Sequence, residues 1–404
     1  MATTDTPIDQ PWQRRAAKGA DAPGMVVRST RVKRLAGFFR LRPESDQFLH
    51  LDALRFLASA GIVAFHYQQW VTWQAAPVRL EALLGFGQFV DLFFVISGVV
   101  IYDLYRGRIG TPREFGRFLR KRIARLLPLH WLTLGFFCAV ALLAERFGRA
   151  GAEADWMCLV PNALLIHAFG ICRDLSFNTP SWSISAEIAM YAAFPLVLLL
   201  LRHPRVAWII WVLLIAGLTL LTAGAESPWY ERTYDLGVLR AVPAFLFGAL
   251  IVGHRPLLGR IVGAPALMWA TLVLFVVFRL AEAPALLRLA CVYLVPLFGL
   301  AADQRRQVGR AVRALAPLGQ LTYSLYMLHM PTAWVVLLFA APRLNISGGA
   351  MNLAVIGTAF LVLPIASLAS LRLFETPMRR WLGTPRRTGT SASPVKRMVK
   401  DFAP

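Results

Sequence analysis

The sequence predicts an all-α integral membrane protein with about ten transmembrane helices and both termini cytoplasmic. Three observations carry this expectation. First, the 404 residues are 57% hydrophobic and only 16% charged, with a mean hydropathy of +0.55, whereas soluble domains carry about 25% charged residues. Second, apolar windows of roughly bilayer length recur along the chain, near 51–70, 86–106, 126–146, 182–201, 206–223, 238–253, 264–280, 285–301, 318–341 and 350–374. Third, the basic residues are asymmetric about those windows. With the N-terminus inside, 33 of the 43 Lys and Arg fall on the cytoplasmic side and six on the other: Arg79, Arg146, Arg149, Arg173, Arg232 and Arg343. The remaining four, Arg55, Arg240, Arg279 and Arg288, lie within or at the ends of the windows.

The elements follow in chain order. Residues 1–47 are polar and Arg-rich without an apolar signal region, and are expected to form a disordered cytoplasmic tail. The membrane domain is expected over 48–382. Its first window, LDALRFLASAGIVAFHYQQW, holds Asp52, Arg55, Ser59 and His66. At 100° per residue these four fall within about 60° of arc, and Arg55 and His66 lie roughly 16 Å apart along the axis. Such a polar stripe should face the bundle interior.

The second window places Asp91, and the fourth Glu187, at a depth similar to that of His66. An imidazole and two carboxylates are therefore expected in one layer, where a carboxylate fixes the tautomer of a general base. Any one of them alone could equally be a buried polar group bonded to the backbone.

Ahead of the third window, RFLRKRIARLLPLHW is mostly generic cytoplasmic charge. Arg122 and Arg125, at i and i+3, share a helix face and suit bidentate contacts to phosphate. Residues 156–170 (WMCLVPNALLIHAFG) are apolar but short, and are expected to be interfacial or re-entrant. Arg379 and Arg380 should anchor the end of the last helix, and 383–404 read as a second basic disordered tail.

The formal charge of +21 does not indicate nucleic-acid binding, because the Lys and Arg residues are distributed over short loops and tails rather than one polar face. The four cysteines, Cys138, Cys158, Cys172 and Cys291, show no metal-ligand spacing, and no metal is expected. Cys158 and Cys172 could pair in an oxidising compartment or remain free thiols.

In order, LDALRFLASAGIVAFH, VDLFFVISGVVI, RIARLLPLHWL, PSWSISAEIAMYAAFPL, GQLTYSLYMLH and FETPMRRWL resemble the acyltransferase family 3 membrane proteins of bacteria. The resemblance covers residues 48–382. It implies an O-acyltransferase of the bacterial cytoplasmic membrane that uses acyl-CoA, most simply acetyl-CoA, as donor substrate, with no permanently bound cofactor. The acceptor would be a hydroxyl of a cell-surface glycan or lipid-linked saccharide.

The same resemblance implies essential roles for Arg55 and His66. Arg122 and Arg125 match the family's Arg-x-x-Arg motif. Where relatives often read LDGLR, this chain has Ala53. Some relatives carry an SGNH-type domain after the last span; about thirty residues follow it here, so a stand-alone transferase is expected.

On this reading Arg55, Arg122 and Arg125 hold CoA phosphates. Tyr323, Ser324, Tyr326 and His329 line the donor passage, Tyr323 and Ser324 near its cytoplasmic end, or equally form a packed aromatic belt. His66 acts as base, oriented by Asp91 or Glu187, or alternatively as a transient acyl carrier. A proton-coupled secondary transporter, or a non-catalytic subunit of a polysaccharide assembly complex, would also bury charged residues in a bundle. The first lacks the repeat symmetry expected of many carriers.

Overall fold

The computed structural model describes residues 39, 41–43, 46–71, 85–147 and 154–383. The chain divides into two units, Met1–Arg42 and Pro43–Pro404, and every helix considered below belongs to the second. Most of the expected tails, 1–47 and 383–404, lie outside the described residues.

All regular structure among the described residues is helical. The principal helices are α1 (Leu49–Tyr67), α2 (Gly85–Tyr105), α3 (Pro112–Arg146), α4 (Thr179–Ala192 continued by Phe194–Leu200), α5 (Pro204–Leu221), α6 (Val238–Val252), α7 (Ala264–Leu280), α8 (Ala285–Gln304), α9 (Arg310–Arg343) and α10 (Gly348–Gly383). Each apolar window overlays one of these helices. Six are individually long and apolar enough to cross a membrane, and the bent α4 pair makes a seventh. Helices α6 and α7 are apolar but shorter. Helix α1 has 19 residues and carries Asp52 and Arg55.

Local chemistry explains several boundaries. Helix α3 opens with a capping box, in which Thr111 and Glu114 each bond the other's backbone N–H, and Pro112 occupies the first helical position. Helix α4 bends by 53° before Pro195, whose ring displaces the preceding turn and which supplies no N–H. Residues 156–170 form only turns of three to five residues, Trp156–Cys158, Leu159–Ala163 and His167–Phe169. Cys158 and Cys172 are joined by a disulfide that staples this segment, with Cα atoms 5.4 Å apart.

Apolar helices with little protein cover mark the lipid-facing side. Only Ala207 is buried on α5, and Leu213, Leu220 and Leu221 are exposed. On α10, Leu353, Phe360 and Ile365 are likewise uncovered. A helix apolar on all faces yet bare of protein contacts is solvated by hydrocarbon. This arrangement is that of an integral membrane protein.

Helices α2 and α6 pack backbone to backbone. A Cβ on Gly98 would collide with the Phe245 carbonyl oxygen, and one on Gly248 would collide with the Val95 carbonyl oxygen. The two glycines are therefore reciprocal, each admitting the opposite backbone, as small residues do at membrane helix crossings.

Helix α1 is held at both ends. Asp303 of α8 accepts from the His50 backbone N–H at 2.9 Å and meets His50 Nδ1 at 2.7 Å, capping the helix from outside. At the other end the Tyr67 hydroxyl donates to the His329 carbonyl of α9 at 2.7 Å.

Replacing Gly98 or Gly248 with Ala should force α2 and α6 apart and cost about 1–3 kcal/mol. Thermal unfolding in detergent is expected to show a lowered midpoint for both. Gly217→Ala on α5, where nothing lies within 4 Å of the added methyl, should leave the midpoint in place. Equal behaviour of all three variants would refute the crossing.

Candidate active site

Two cavities approach each other inside the bundle, one at each end of α1. The first spans about 760 Å³, counting the space at its mouth, and takes Arg55 from α1 and Arg122 and Arg125 from α3. Arg122 Nη2 donates to the Tyr105 hydroxyl at 3.1 Å, and its guanidinium lies 5.4 Å from that ring's centroid. Arg55 Nη1 is 3.8 Å from Asp52, one helical turn earlier. Three guanidinium groups thus line one opening. The same wall carries Ser97 of α2, Glu187 and Tyr191 of α4, and Thr322 and Tyr323 of α9. Thr322 Oγ1 is buried without a hydrogen-bond partner among the described residues.

The second cavity spans about 1190 Å³ on the same measure and is lined by His66. Its walls are built from the end of α1, the starts of α2, α4, α6 and α8, and the end of α7. Val90 and Tyr326 line both cavities, so the two spaces share a wall. Tyr326 is fixed there by a 2.7 Å bond with Ser183 and a 3.0 Å bond to the Pro180 carbonyl. Arg55 and His66 occupy one unbroken helix, so their axial separation of roughly 16 Å follows from the rise of 1.5 Å per residue.

His66 pairs with a second histidine rather than with a carboxylate. Its Nδ1 lies 3.0 Å from Nε2 of His329, and the rings stack with centroids 4.9 Å apart. The direction of the bond follows from a neighbour. His329 Nδ1 meets the Tyr326 carbonyl at 2.7 Å, and a carbonyl only accepts, so His329 Nδ1 carries hydrogen. In the neutral ring, Nε2 of His329 is then the acceptor and Nδ1 of His66 the donor. That leaves the lone pair of His66 on Nε2, in a ring that lines the cavity. Such an atom can take a proton from a hydroxyl entering there.

The expected shared layer of His66, Asp91 and Glu187 is corrected by these partners. Asp91 forms a two-pronged pair with Arg240 of α6, at 2.6 Å and 3.3 Å, and both are buried. The Arg240 guanidinium also sits 5.0 Å from the Trp182 ring centroid. Asp91 is held by a full opposite charge and does not orient His66. Glu187 accepts from Ser97 at 2.9 Å and from the Tyr191 hydroxyl, and lines the arginine-rich cavity. It therefore belongs with Arg55, Arg122 and Arg125.

Tyr323 lines that cavity and donates to the Leu126 carbonyl. Ser324 points away, donating to Glu375 of α10 at 2.5 Å, and does not line it.

The role of His329 was missed because a histidine buried at mid-helix reads equally as packing. Arg240 had a readable signal: an arginine within one apolar window calls for a carboxylate in another. Tyr191 follows Glu187 by four residues on the same helix face, which also could have been read. Among the described residues, no group of three or more His, Cys, Asp or Glu side chains is arranged to hold a metal ion.

The model of the acyltransferase domain family matches residues 48–371. The chain is 31% identical over 166 residues to acyltransferase MdmB of Streptomyces mycarofaciens, covering 40% of this chain and 42% of that one. It is 27% identical over 308 residues to exopolysaccharide production protein ExoZ of Rhizobium meliloti, covering 72% and 89% respectively. It is 28% identical over 166 residues to O-acetyltransferase OatA of Staphylococcus aureus, covering 38% of this chain and 25% of that one. The matched portion thus spans less than half of MdmB and a quarter of OatA. No solved structure matches. On the family match across most of its length, the chain belongs to the family 3 membrane acyltransferases.

Proposed function

We propose that this protein transfers an acyl group, most simply acetyl, from acyl-CoA bound in the arginine-rich cavity to a saccharide hydroxyl in the histidine cavity. The observation that carries the reading is the pair of cavities sharing the Tyr326 wall, with guanidinium groups at one end of α1 and the His66 imidazole at the other. The planar guanidinium groups of Arg55, Arg122 and Arg125 suit the phosphates of CoA. The roughly 16 Å between Arg55 and His66 is comparable with an extended pantetheine arm. ExoZ, a protein of exopolysaccharide production, and OatA, an O-acetyltransferase, support a saccharide acceptor and an acetyl group.

In the proposed step, Nε2 of His66 accepts the hydroxyl proton as the acceptor oxygen attacks the thioester carbonyl. The carbon–sulfur bond breaks, and the CoA thiolate takes that proton back from the imidazolium. His329 holds the tautomer by accepting from Nδ1 of His66, and the Tyr326 carbonyl in turn fixes His329. Ser97 and Tyr191 keep Glu187 in place beside the arginines, where its charge sets how tightly they hold an anion.

The proposed topology has ten membrane-crossing helices in a domain over 48–382, both termini in the cytoplasm, and the cytoplasmic membrane of a bacterium as its location. The Lys and Arg asymmetry supports that direction. So does the disulfide: the segment it staples leads into Leu175 and Thr179 at the histidine cavity, which suits an oxidising compartment on that side.

Purified protein should release CoA thiol from acetyl-CoA and pass the labelled acetyl group to a saccharide. His66→Ala should lower that rate at least about 100-fold, the lower range for removing a general base, while its elution and melting profile stay unchanged. A fully active His66→Ala protein would end the proposal, and solute flux in proteoliposomes without CoA consumption would favour a carrier instead. Arg122→Ala and Arg125→Ala should each raise KM for acetyl-CoA about tenfold, the loss expected for one charge-assisted phosphate contact. A kcat change with KM unaltered would remove both residues from donor binding.

A further inference from the structure

The histidine cavity is more basic than a neutral sugar requires. Among the described residues, four charged side chains line it: Arg240, Arg279, Arg288 and Glu231. Arg240 is neutralised by its buried bond to Asp91. Among the described lining residues that leaves two guanidinium groups facing one carboxylate, a net excess of one positive charge. Arg279 comes from the last turn of α7 and Arg288 from the first turn of α8, so both sit at the mouth where those helices meet.

Two structural details single out this pair. The stem of Arg279 lies directly over Gly85, where an added Cβ would stand 2.6 Å from Arg279 Cδ. Arg288 Nη1 is spent on the Ala283 carbonyl at 2.7 Å, but its Nε is buried without a hydrogen-bond partner among the described residues. Gln88, on the same lining, similarly has its Oε1 buried and unpartnered among those residues. Two like charges in a partly desolvated space repel, and an anion between them relieves the repulsion and supplies the missing acceptor.

We propose that the acceptor carries an acidic group, a carboxylate or phosphate, held by Arg279 and Arg288, with Gln88 Oε1 accepting from one of its hydroxyls. This inference rests on reading the histidine cavity as the acceptor site. It narrows the acceptor to acidic saccharides: those built with uronic acids, or those attached through a phosphate. Arg279 and Arg288 are specificity-determining residues that orient the sugar relative to His66.

The test is a titration of the full-length purified protein with methyl glucuronide, glucose 1-phosphate and neutral methyl glucoside. Binding is followed by the fluorescence of Trp182, which lines the cavity, against the Trp background. At least one acidic ligand should bind about tenfold or more tightly than the neutral one, the gain of a charge-assisted contact.

Arg279→Gln and Arg288→Gln should abolish that preference, and Arg279→Lys and Arg288→Lys should restore part of it, which a folding defect would not. Tighter binding of the glucuronide places the charge in a uronic acid, and tighter binding of the sugar phosphate places it in a phosphate linkage. Equal affinity for all three ligands, no binding of any, or a preference that survives both Gln substitutions would overturn the proposal. Acetyl-CoA binding by the same wild-type preparation is measured separately. Its absence would end the transfer reading without altering the comparison among glycosides.

Discussion

A charge removed from water must meet an opposite charge or a full set of hydrogen bonds, and the rest of this structure depends on how that demand is met between Asp91 and Arg240. The carboxylate is fully buried and the guanidinium nearly so, and they meet fork to fork. Loss of either partner would strand the other in a low-dielectric interior, which makes the pair a strict registration of α2 against α6. The reciprocal glycines Gly98 and Gly248 set the distance between the same two helices. Together they fix a rigid crossing that carries one wall of each cavity: Ser97 for the first, Gln88 and Arg240 for the second.

This pairing also determines what His66 has for a neighbour. With Asp91 committed to Arg240 and Glu187 committed to Ser97 and Tyr191, the side chain that meets His66 is that of His329. A carboxylate beside a histidine stabilises its cation, whereas a second neutral imidazole orients the ring without that stabilisation. The ring is held in one tautomer by a chain of bonds from Tyr326 through His329 to His66. Tyr326 is thus structural in two senses, since its carbonyl starts that chain and its side chain forms the wall shared by the cavities.

Much of the fold was legible in the residues. Hydropathy and the length a bilayer demands are local properties, so each apolar window overlaps a helix. The polar stripe of α1 was legible for the same reason: helical geometry alone aligns Arg55 with His66. Arg122, Arg125 and Tyr323, grouped by spacing and resemblance, line one cavity. Ser324 does not, because one residue along a helix turns a side chain by 100°, enough to aim it at Glu375 instead of the cavity.

By itself, then, the sequence determined the helical segments, their apolar character, the basic asymmetry and the face of α1 that carries Arg55 and His66. Only the tertiary structure decided who meets whom across helices: Asp91 with Arg240, Glu187 with Tyr191 and Ser97, His66 with His329, and Cys158 with Cys172. Depth along a span is read from sequence to within several ångströms. A hydrogen bond requires agreement within a few tenths of one, together with the rotation of each helix about its axis. That rotation is set by packing between helices distant in sequence, and no local pattern encodes it.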